Sequence, residues 1–546
     1  MQTVVVYYES PMAAGIPTRT PGLAGNIRFD DQQQVSVIWC CGRWRRGAGA
    51  RQRMVRFCAG PRCWARRCGH GGQGPGDVVA LCGRNCLRYS WVVLGVLKAG
   101  AACQLLHADC TARELLHLTR ISRPRLAACS AEVARRQLSS SQTVGELLAG
   151  VTSVQEVLVW GDDTLNLPSG CMPIHQFLSP CSEILPRNTS KDKHVIIDET
   201  SEKGKEQQCD YTKQVSFVLC SSGTTGLPKG VMLTHSSVIA ALVANGPKFV
   251  SHNDVVLGLM PFCHAYGLCL MLMYLCRGAR TVILDRFEPD AFSQIIPQYQ
   301  ISCLHLVPSL LSSLCRDRRL SGADLRSVCH LWTGASHVSP DMQAEVRARL
   351  SPHAVLHHSY GMTETTFTVL TGERQLDKLF SSGTLSPGMQ CKVVDVKSSK
   401  VLGPKEPGEL YFRGPLLTKG YMHNEKATQE AIDVDGWLHS GDLGYYDEDG
   451  YFYIVDRLKE IIKYQGYQIS PSELESILIT HPAVKEAAVV GVPHKLYGEV
   501  PQAYVVRQPG TNAEAQEIED YLNGEAKVIF ICAVAIHRYW FTQHFI

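Results

Sequence analysis

Leu219-Cys-Ser-Ser-Gly-Thr-Thr-Gly-Leu-Pro-Lys-Gly-Val-Met-Leu233 joins an apolar run to a loop rich in hydroxyl groups and glycine. The run Val215–Leu219 predicts a buried strand that holds the loop in place. The loop then offers hydroxyls, glycines and one mobile positive charge, in the order Ser221, Ser222, Gly223, Thr224, Thr225, Gly226, Lys229 and Gly230. Glycine lets the backbone come close to an anion, to which hydroxyl and ammonium groups donate hydrogen bonds. The stretch therefore predicts a phosphate-binding loop, although it lacks the G-x-x-x-x-G-K-S/T spacing of P-loop NTPases; the alternative is an ordinary polar turn.

Length and composition are those of a multidomain enzyme. A chain of 546 residues is too long for one hydrophobic core, and 45% apolar with 19% charged residues is ordinary for a globular protein. No apolar run is long enough to cross a bilayer, and the N-terminus has no secretory pattern. We therefore expect no transmembrane segment, an intracellular protein, and 22 cysteines that remain thiols in a reducing compartment.

Residues 39–76 differ from the rest of the chain. Nine arginines lie between Arg43 and Arg67, and their nine positive charges exceed the formal net charge of +3 for the whole chain. The rest of the chain is therefore mildly acidic and does not suggest a nucleic-acid partner. Neither a helical nor a strand period is visible in the segment. Three interpretations stay open: a disordered basic insert, a stretch translated in the wrong frame, or a zinc site formed by Cys58, Cys63, Cys68 and His70.

From Asp77 onward, strand-like and helix-like segments alternate, which predicts an α/β architecture with parallel strands. The clearest segments are residues 77–81, 91–98, 281–284 and 291–299. Shorter strands predict an antiparallel subdomain, at residues 391–396, 409–413 and 450–455. A compact C-terminal unit begins near Asp456, with a helix over Pro471–Thr480 that Ser470 caps and Glu473 supports, and with strands at 487–492 and 502–506. The predicted divisions are 1–76, atypical; 77–455, the main domain; and 456–546, the C-terminal domain.

Three further clusters carry chemical groups. Ser359-Tyr-Gly-Met-Thr-Glu-Thr-Thr366 holds Glu364, which could ligate Mg²⁺, and Thr363, which could bind a phosphate oxygen. The stretch 436–450 places Asp442 between glycines, where a ribose diol could be accepted. The stretch 455–466 gathers positive charge beside a glycine, at Arg457, Lys459 and Lys463. Taken singly, each also fits a structural role: a helix start, a turn and a solvated basic face.

Together and in this order, the four clusters resemble those of the adenylate-forming superfamily, which includes acyl-CoA synthetases, 4-coumarate:CoA ligases and beetle luciferases. The resemblance covers about residues 77–522 and includes Pro261-Phe-Cys-His-Ala-Tyr-Gly267 and Thr333-Gly-Ala-Ser336. It implies a large N-terminal domain with α/β and β-barrel subdomains and a small, mobile α+β C-terminal domain, here truncated. It also implies a reaction with ATP, Mg²⁺, coenzyme A and a small carboxylic acid.

The resemblance also implies roles for individual residues. Those expected to bind ATP or CoA are Ser221, Ser222, Gly223, Thr224, Thr225, Gly226, Lys229, Arg286, Gly334, Ala335, Ser336, Tyr360, Gly361, Thr363, Asp442, Arg457, Lys459, Gln465 and Gly466. Those expected to take part in catalysis are Lys229, His264, Thr363, Glu364 and Lys463, with Glu364 as the metal ligand. Those expected to border the acid are His264, Tyr266 and Ser359.

The chain departs from the family pattern after about Leu522. Relatives carry a second catalytic lysine in a Gly-Lys context close to the C-terminus, whereas residues 523–546 contain no such pair. We therefore expect impaired adenylation. The expected location is cytoplasmic or peroxisomal, although the final tripeptide His544-Phe545-Ile546 is not a peroxisomal signal.

Three functions remain open at this stage. The leading one is an AMP-forming acid:CoA ligase for a fatty or aryl acid. A luciferase-like monooxygenase would use the same adenylation and then attack the adenylate with oxygen. A non-catalytic nucleotide- or acyl-binding relative, or an incomplete gene product, would account for the missing lysine.

Overall fold

The computed structural model describes most of the chain between residues 77 and 525. The described ranges are 77–139, 142–161, 164–178, 213–221, 228–316, 318–320, 324–334, 338, 340–372, 378, 381–464, 467–494, 498–508 and 510–525, with the strands Val5–Val6, Val35–Ile38 and Ala535–Ile536. The zinc site and the other interpretations of residues 39–76 lie outside these ranges, as does most of the predicted phosphate loop.

An eight-stranded sheet, sheet B, carries the strand that ends at the phosphate loop. Its strands, in spatial order, are β21 (Gly420–Tyr421), β11 (Lys229–Thr234), β10 (Val215–Ser221), β4 (Ala102–Leu106), β3 (Val78–Cys82), β5 (Leu126–Ser130), β8 (Glu156–Trp160) and β9 (Cys171–Pro173). The strands from β10 to β9 run parallel, and β11 and β21 add antiparallel pairs at one edge. Val79 and Leu81 enter one hydrophobic core while Ala80 and Cys82 enter another, as expected of a parallel sheet covered on both faces.

A nine-stranded sheet, sheet A, forms the second layer. Its strands, in spatial order, are β1 (Val5–Val6), β2 (Val35–Ile38), β13 (Arg280–Leu284), β12 (Val255–Gly258), β14 (Cys303–Leu306), β15 (His330–Thr333), β16 (Val355–Gly361), β17 (Thr368–Thr371) and β18 (Thr384–Leu385). The strands from β13 to β16 are parallel. The carboxyl ends of β15 and β16 therefore meet at one edge of sheet A.

Helices connect the parallel strands, as the alternating sequence pattern predicts. They are α1 (Leu87–Lys98), α2 (Ala112–Ser122), α3 (Ala131–Arg135), α4 (Val144–Ala149), α5 (Ile174–Leu178), α6 (His235–Phe249), α7 (Ala265–Arg277), α8 (Pro289–Tyr299), α9 (Pro308–Arg316) and α10 (Pro340–Arg349). A reciprocal capping box between Thr111 and Glu114 starts α2. Helix α7 is apolar nearly all round because Met271 faces the core of sheet B and Met273 faces that of sheet A. None of the described helices is both long and apolar enough to cross a membrane.

The predicted antiparallel subdomain is confirmed as a four-stranded sheet, sheet C. Its strands are β19 (Gln390–Val394), β20 (Gly408–Arg413), β22 (Leu438–Tyr446) and β23 (Phe452–Arg457). The helix α11 (Glu425–Ala431) lies between β21 and β22 in the chain, and the short strands β6 (Gln137–Ser139) and β7 (Gln142–Thr143) form a separate hairpin. Strand β23 leads directly into the C-terminal domain.

The C-terminal domain is an α+β unit. Its sheet consists of β25 (Tyr467–Ile469), β24 (Ile462–Tyr464), β27 (Gly498–Arg507), β26 (Val484–His494) and β28 (Ala535–Ile536), and its helices are α12 (Pro471–Thr480) and α13 (Ala515–Glu525). The carboxylate of Asp456 accepts hydrogen bonds from the Ser470 hydroxyl and, at 3.2 Å, from the Ser472 backbone N–H. This buried carboxylate therefore joins the end of β23 to the start of α12. The predicted helix 471–480 is confirmed, while the side chain of Glu473 lies outside the described part.

Candidate active site

The predicted phosphate loop begins and ends on adjacent antiparallel strands. Ser221 is the last residue of β10 and Lys229 the first of β11, and the two residues pair in register at the loop end of the hairpin. Phe217 and Leu219 are almost fully buried, so the base of the hairpin is fixed in the core. The predicted loop residues between these ends, Ser222, Gly223, Thr224, Thr225 and Gly226, lie outside the described part of the chain.

Tyr421 connects the loop lysine to the predicted metal ligand. The Lys229 Nζ lies 4.7 Å from the centroid of the Tyr421 ring, and the Tyr421 hydroxyl donates a 2.9 Å hydrogen bond to Glu364 Oε1. Glu364 is only 6% exposed, so its carboxylate depends on such a donor. Burial and then the neighbouring Glu364 raise the pKa of Tyr421, which keeps the hydroxyl protonated and able to donate. A cation, an aromatic ring and a carboxylate thus form one cluster, called here the lysine–carboxylate cluster.

A tight turn presents Thr363 and Glu364 at the end of β16. The 3₁₀ turn Thr363–Thr365 follows the strand after one residue, Met362. A Cβ atom on Gly361 would lie 2.3 Å from the carbonyl oxygen of Phe367, so the chain can fold back here only because this residue is glycine. The Glu364 carbonyl accepts a 2.7 Å hydrogen bond from the Thr418 N–H. The residues just before β21 therefore lie against the turn.

The predicted ribose-binding residues form a second cluster. The Tyr360 hydroxyl donates a 2.5 Å hydrogen bond to Asp442 Oδ2, and Arg457 Nε lies 3.7 Å from Asp442 Oδ1. Asp442 is 8% exposed, and its burial raises the pKa of the carboxyl to about 6, although Tyr360 and Arg457 each act to lower it. Both oxygens of Asp442 are therefore oriented by neighbours. Tyr360, predicted to pack beside the adenine, uses its hydroxyl to orient this carboxylate.

The carboxyl ends of β15 and β16 lie in close contact. A Cβ atom on Gly334 would lie 2.6 Å from the carbonyl oxygen of Ser359, and the Ser359 hydroxyl donates a 3.3 Å hydrogen bond to the Thr333 carbonyl. Ser359 is buried, so its hydroxyl is occupied in joining the two strands. Ala335 and Ser336, predicted beside the adenine, lie outside the described part.

His264 and Tyr266 stand at the start of α7. The His264 ring lies 5.5 Å from that of His107. Desolvation by the surrounding protein atoms lowers the pKa of His264, and the nearby His107 lowers it further by a smaller amount. The Tyr266 ring stacks on Phe367 at 5.5 Å. Because Phe367 follows the turn that holds Glu364, the predicted acid-binding wall and the predicted metal ligand lie on neighbouring segments. The buried Tyr266 hydroxyl has no hydrogen-bond partner among the described residues.

The remaining predicted residues lie outside both clusters in the described part of the chain. Arg286 follows β13 and forms an ion pair with Glu288 at 3.6 Å, while Lys459 is exposed in the turn after β23. Lys463 lies in β24, where its backbone pairs with Gln468. The Lys463 side chain, Gln465 and Gly466 are not among the described groups.

Sequence reasoning missed Tyr421. It lies in the short segment Lys419-Gly-Tyr421, which has no motif of its own. Its role depends on the pairing of β21 with β11, which places Tyr421 opposite Val231 near the loop lysine. A tyrosine beside a glycine was the available signal, and this pair is common in ordinary strands.

The comparisons with known proteins agree with this architecture. The model of the AMP-binding enzyme family matches residues 65–422, and that of the AMP-binding enzyme C-terminal domain matches residues 473–539. The chain is 35% identical to luciferin 4-monooxygenase of Nipponoluciola cruciata over 448 residues, covering 81% of this chain and 78% of that protein. It is 32% identical to the probable 4-coumarate–CoA ligase 1 of Dictyostelium discoideum over 450 residues, covering 82% and 79%.

Solved structures share the fold at lower sequence identity. ATP-bound MatB from Rhodopseudomonas palustris matches with a TM-score of 0.69 and 24% identity over 86% of each chain. The anthranilate CoA ligase AuaEII in complex with anthranoyl-AMP matches with a TM-score of 0.72 and 19% identity over 86% of this chain and 85% of that one.

A large N-terminal α/β domain followed by a small C-terminal domain is the fold of adenylate-forming enzymes, and the predicted fold is confirmed. The chain belongs to the AMP-binding enzyme family, among adenylate-forming acid:CoA ligases with 4-coumarate–CoA ligase-like homologues, and luciferases are also among its relatives. The predicted resemblance and the prediction of a ligase-like enzyme are confirmed at this level. Members of this family are ATP-dependent.

Proposed function

We propose that this chain is an AMP-forming acid:CoA ligase that converts a fatty or aryl acid to its adenylate and then transfers the acyl group to CoA. The observation that carries the proposal is the lysine–carboxylate cluster. Lys229 and Glu364 come from separate motifs that lie 135 positions apart. Both contact Tyr421: Lys229 lies over its ring, and Glu364 accepts a hydrogen bond from its hydroxyl. An adenylating site needs a cation and a carboxylate near one triphosphate, and this cluster supplies both.

The chemistry of adenylation explains the need for these charges. The substrate carboxylate attacks the α-phosphorus of ATP while pyrophosphate leaves, and both reactants are anionic. Lys229 would offset that repulsion from the edge of the phosphate loop. Glu364 and Thr363 fit a Mg²⁺ ion because a buried carboxylate and a hydroxyl are hard oxygen donors. When bound, Mg²⁺ would supply positive charge to the phosphate oxygens.

Asp442 is suited to accept the ribose hydroxyls. Tyr360 and Arg457 contact different oxygens of its carboxylate, so the group is oriented before any nucleotide binds. Orientation in advance lowers the entropy cost of binding. Arg457 would turn to the ribose or phosphates when the C-terminal domain moves.

The second half-reaction is assigned to the C-terminal domain. We propose that the domain turns at Asp456 and brings Lys463, Gln465 and Gly466 to the adenylate, while Arg286 and Lys459 face CoA phosphates. His264, Tyr266 and Ser359 would border the acid. The half-buried Tyr266 ring, stacked on Phe367, offers an apolar wall that suits an acyl chain or an aryl group.

The adenylation step is proposed to be slow because residues 523–546 contain no Gly-Lys pair. Loss of one positive charge from a transition state typically lowers the rate by about a hundredfold or more. Carboxylate-dependent exchange of pyrophosphate into ATP measures this step directly. Exchange as fast as that of a 4-coumarate–CoA ligase assayed in parallel would contradict the proposal.

The ligase proposal is tested with purified full-length chain, ATP, Mg²⁺, CoA and a panel of fatty and aryl acids. Equal amounts of AMP and acyl-CoA are expected from at least one acid, measured with enzyme in excess so that a slow reaction is visible. Lys229→Ala should abolish both products, whereas Lys400→Ala, at an exposed position, should not. ATP binding without AMP release from any acid would instead indicate a non-catalytic nucleotide-binding relative.

Oxidation of the adenylate is a second candidate, favoured by the 35% identity to a luciferin 4-monooxygenase. The two functions share adenylation and differ in the attacking group, which is the CoA thiol in one and oxygen in the other. Light emission with luciferin and ATP, without consumption of CoA, would favour the monooxygenase.

A further inference from the structure

Three metal-ligating side chains meet at the start of α7, outside the two clusters described above. His107 follows β4, and Cys263 and His264 immediately precede the helix. One ligand atom from each residue, a ring nitrogen or the thiol sulfur, lies within 4.8 Å of the other two. We propose that His107, Cys263 and His264 bind a soft divalent transition-metal ion such as Zn²⁺.

The donor set selects the class of metal. Imidazole nitrogen and thiolate sulfur suit Zn²⁺ and similar ions, whereas Mg²⁺ and Ca²⁺ prefer oxygen. Bond lengths of about 2.0–2.3 Å to tetrahedral zinc place ligand atoms roughly 3.5 Å apart. Side-chain movements of about 1 Å would therefore close the site around an ion.

The two ligands before α7 stand on a rigid turn. The buried amide of Asn85 donates hydrogen bonds to three consecutive carbonyls, the shortest to Met260 at 2.8 Å, and its oxygen accepts one from the Phe262 N–H at 2.8 Å. The His264 N–H in turn bonds the Pro261 carbonyl at 3.1 Å. The turn is thus held from both sides, which reduces the cost of assembling a metal site.

His107 has a neighbour that can set its ring proton. Its Nδ1 accepts a 3.2 Å hydrogen bond from the Asp109 N–H, and the Asp109 carboxylate lies 3.9 Å from the same nitrogen. Coordination through Nε2 requires the ring proton to sit on Nδ1. In that tautomer Nδ1 no longer accepts from the Asp109 N–H, and the Asp109 carboxylate would move closer to accept the hydrogen bond of the Nδ1 proton, as carboxylates do for many metal-bound histidines.

A small cavity with several polar side chains in its lining adjoins the ligands and supplies room for a fourth. It has a volume of about 40 Å³ and is lined by Arg84, Asn85, His107, Cys263 and Asp285, among others. A buried oxygen of Asp285, Oδ1, has no hydrogen-bond partner among the described residues. The Arg84 charge is offset by Asp109 at 2.7 Å and Glu132 at 3.4 Å. Cations are therefore not repelled, and a metal-bound water fits beside Asp285.

The consequence for activity rests on the proposed function, but metal binding itself does not. If His264 borders the acid pocket, an ion held by its ring would fix that ring and slow acid-dependent AMP release. Metal binding at this site would then inhibit the enzyme. Soft metal ions would inhibit at concentrations at which Mg²⁺ still serves the adenylation step.

Cobalt provides a test that is independent of activity. Co²⁺ bound to a thiolate gives a charge-transfer absorption band, so full-length chain titrated with Co²⁺ should show the band and Zn²⁺ should remove it. Cys263→Ser should abolish the band, and His107→Gln should weaken the apparent affinity by at least about tenfold. Cys276→Ser, at an exposed cysteine near the opposite end of α7, is the matched control and should leave the band unchanged.

Two outcomes would overturn the proposal. One is the absence of any thiolate–cobalt band in the wild-type chain. The other is a band of unchanged intensity and affinity in both Cys263→Ser and His107→Gln, which would place the metal at other thiols. His107→Gln keeps the test decisive if Cys263→Ser fails to fold, since His107 is partly exposed.

Discussion

Asp442 and Arg457 face each other across the antiparallel pairing of β22 and β23, with Asp442 Oδ1 3.7 Å from Arg457 Nε. The β-hairpin thus joins the predicted ribose carboxylate to the last residue of β23, at the start of the C-terminal domain. The carboxylate of Asp456, the neighbour of Arg457 in the chain, accepts a hydrogen bond from the Ser472 N–H in the first turn of α12. The predicted nucleotide contact at Asp442 and the first turn of α12 are therefore connected through one short strand.

Tyr421→Phe should lower the rate of adenylation while the fold is retained. The variant keeps the ring beneath Lys229 but removes the hydroxyl that donates to buried Glu364. A hydrogen bond to a charged group contributes about 1.5–3 kcal/mol, which corresponds to roughly ten- to a hundredfold in rate. Single-turnover AMP formation with enzyme in excess measures the change.

The matched control for this variant is Tyr445→Phe, which removes a hydroxyl from a tyrosine that stacks on Tyr453 in sheet C. It should retain the wild-type rate. Equal rates for Tyr421→Phe and the wild type would mean that the Glu364 contact does not serve adenylation.

Asp442→Asn should change the pH dependence of stability. The pKa of Asp442 is raised from 3.8 to about 6 by burial, so the folded chain binds this proton more tightly than the unfolded chain. The stabilising contribution is fully present below about pH 4 and is lost as the pH rises through about 6. The neutral variant lacks this loss, so its free energy of unfolding relative to the wild type should rise by about 2 kcal/mol between pH 4 and pH 7.

Urea unfolding at the two pH values gives this difference directly. Asp435→Asn, at an exposed carboxylate in the same sheet region, should show little change. A relative stability of Asp442→Asn that is constant with pH would exclude a raised pKa at this position.

Gly361→Ala should destabilise the chain and reduce activity. The added Cβ would lie 2.3 Å from the Phe367 carbonyl oxygen and would displace the turn that holds Thr363 and Glu364. Overpacking of this kind costs about 1–3 kcal/mol. Gly150→Ala is the control, because its Cβ would meet neighbours only at 3.5 Å. Thermal unfolding and AMP formation are measured together, and an unaltered Tm for Gly361→Ala would show that the turn can relax.

Lys463→Ala should separate the two half-reactions. If the lysine acts only after the domain turns, acyl-CoA formation should fall by about a hundredfold while pyrophosphate exchange stays within about threefold of the wild type. Lys485→Ala, at a half-exposed lysine of the same domain that pairs with Glu486, is the control. A parallel loss of both reactions would assign Lys463 to adenylation instead.

Local sequence patterns predicted many elements because each is specified within a few residues. The apolar run before Ser221 became β10, and the alternating stretches became strands and helices close to the expected bounds. The helix 471–480 appeared as predicted. The site residues Tyr360, Asp442 and Arg457 came from motifs, and the structure brings their side chains into contact.

The contacts of Tyr421 and His107 could not be predicted in this way. Tyr421 reaches Glu364 because an edge strand pairs with β11, and His107 meets Cys263 because the residue after β4 of sheet B lies against the turn that follows β12 of sheet A. Both depend on contacts between segments far apart in the chain, which no local period encodes.

The sequence by itself determined the family, the α/β class and the order of the phosphate, carboxylate, ribose and hinge motifs, since glycines, hydroxyls and charges at fixed spacing follow from local chemical needs. Only the tertiary structure decided that Tyr421 lies between Lys229 and Glu364, that Tyr360 orients Asp442, and that two histidines and a cysteine surround one point. The physical reason is that burial and strand pairing act between residues that are far apart in the chain, 57 positions for Tyr421 and Glu364 and 82 for Tyr360 and Asp442, and they fix side-chain geometry only once the sheets have formed.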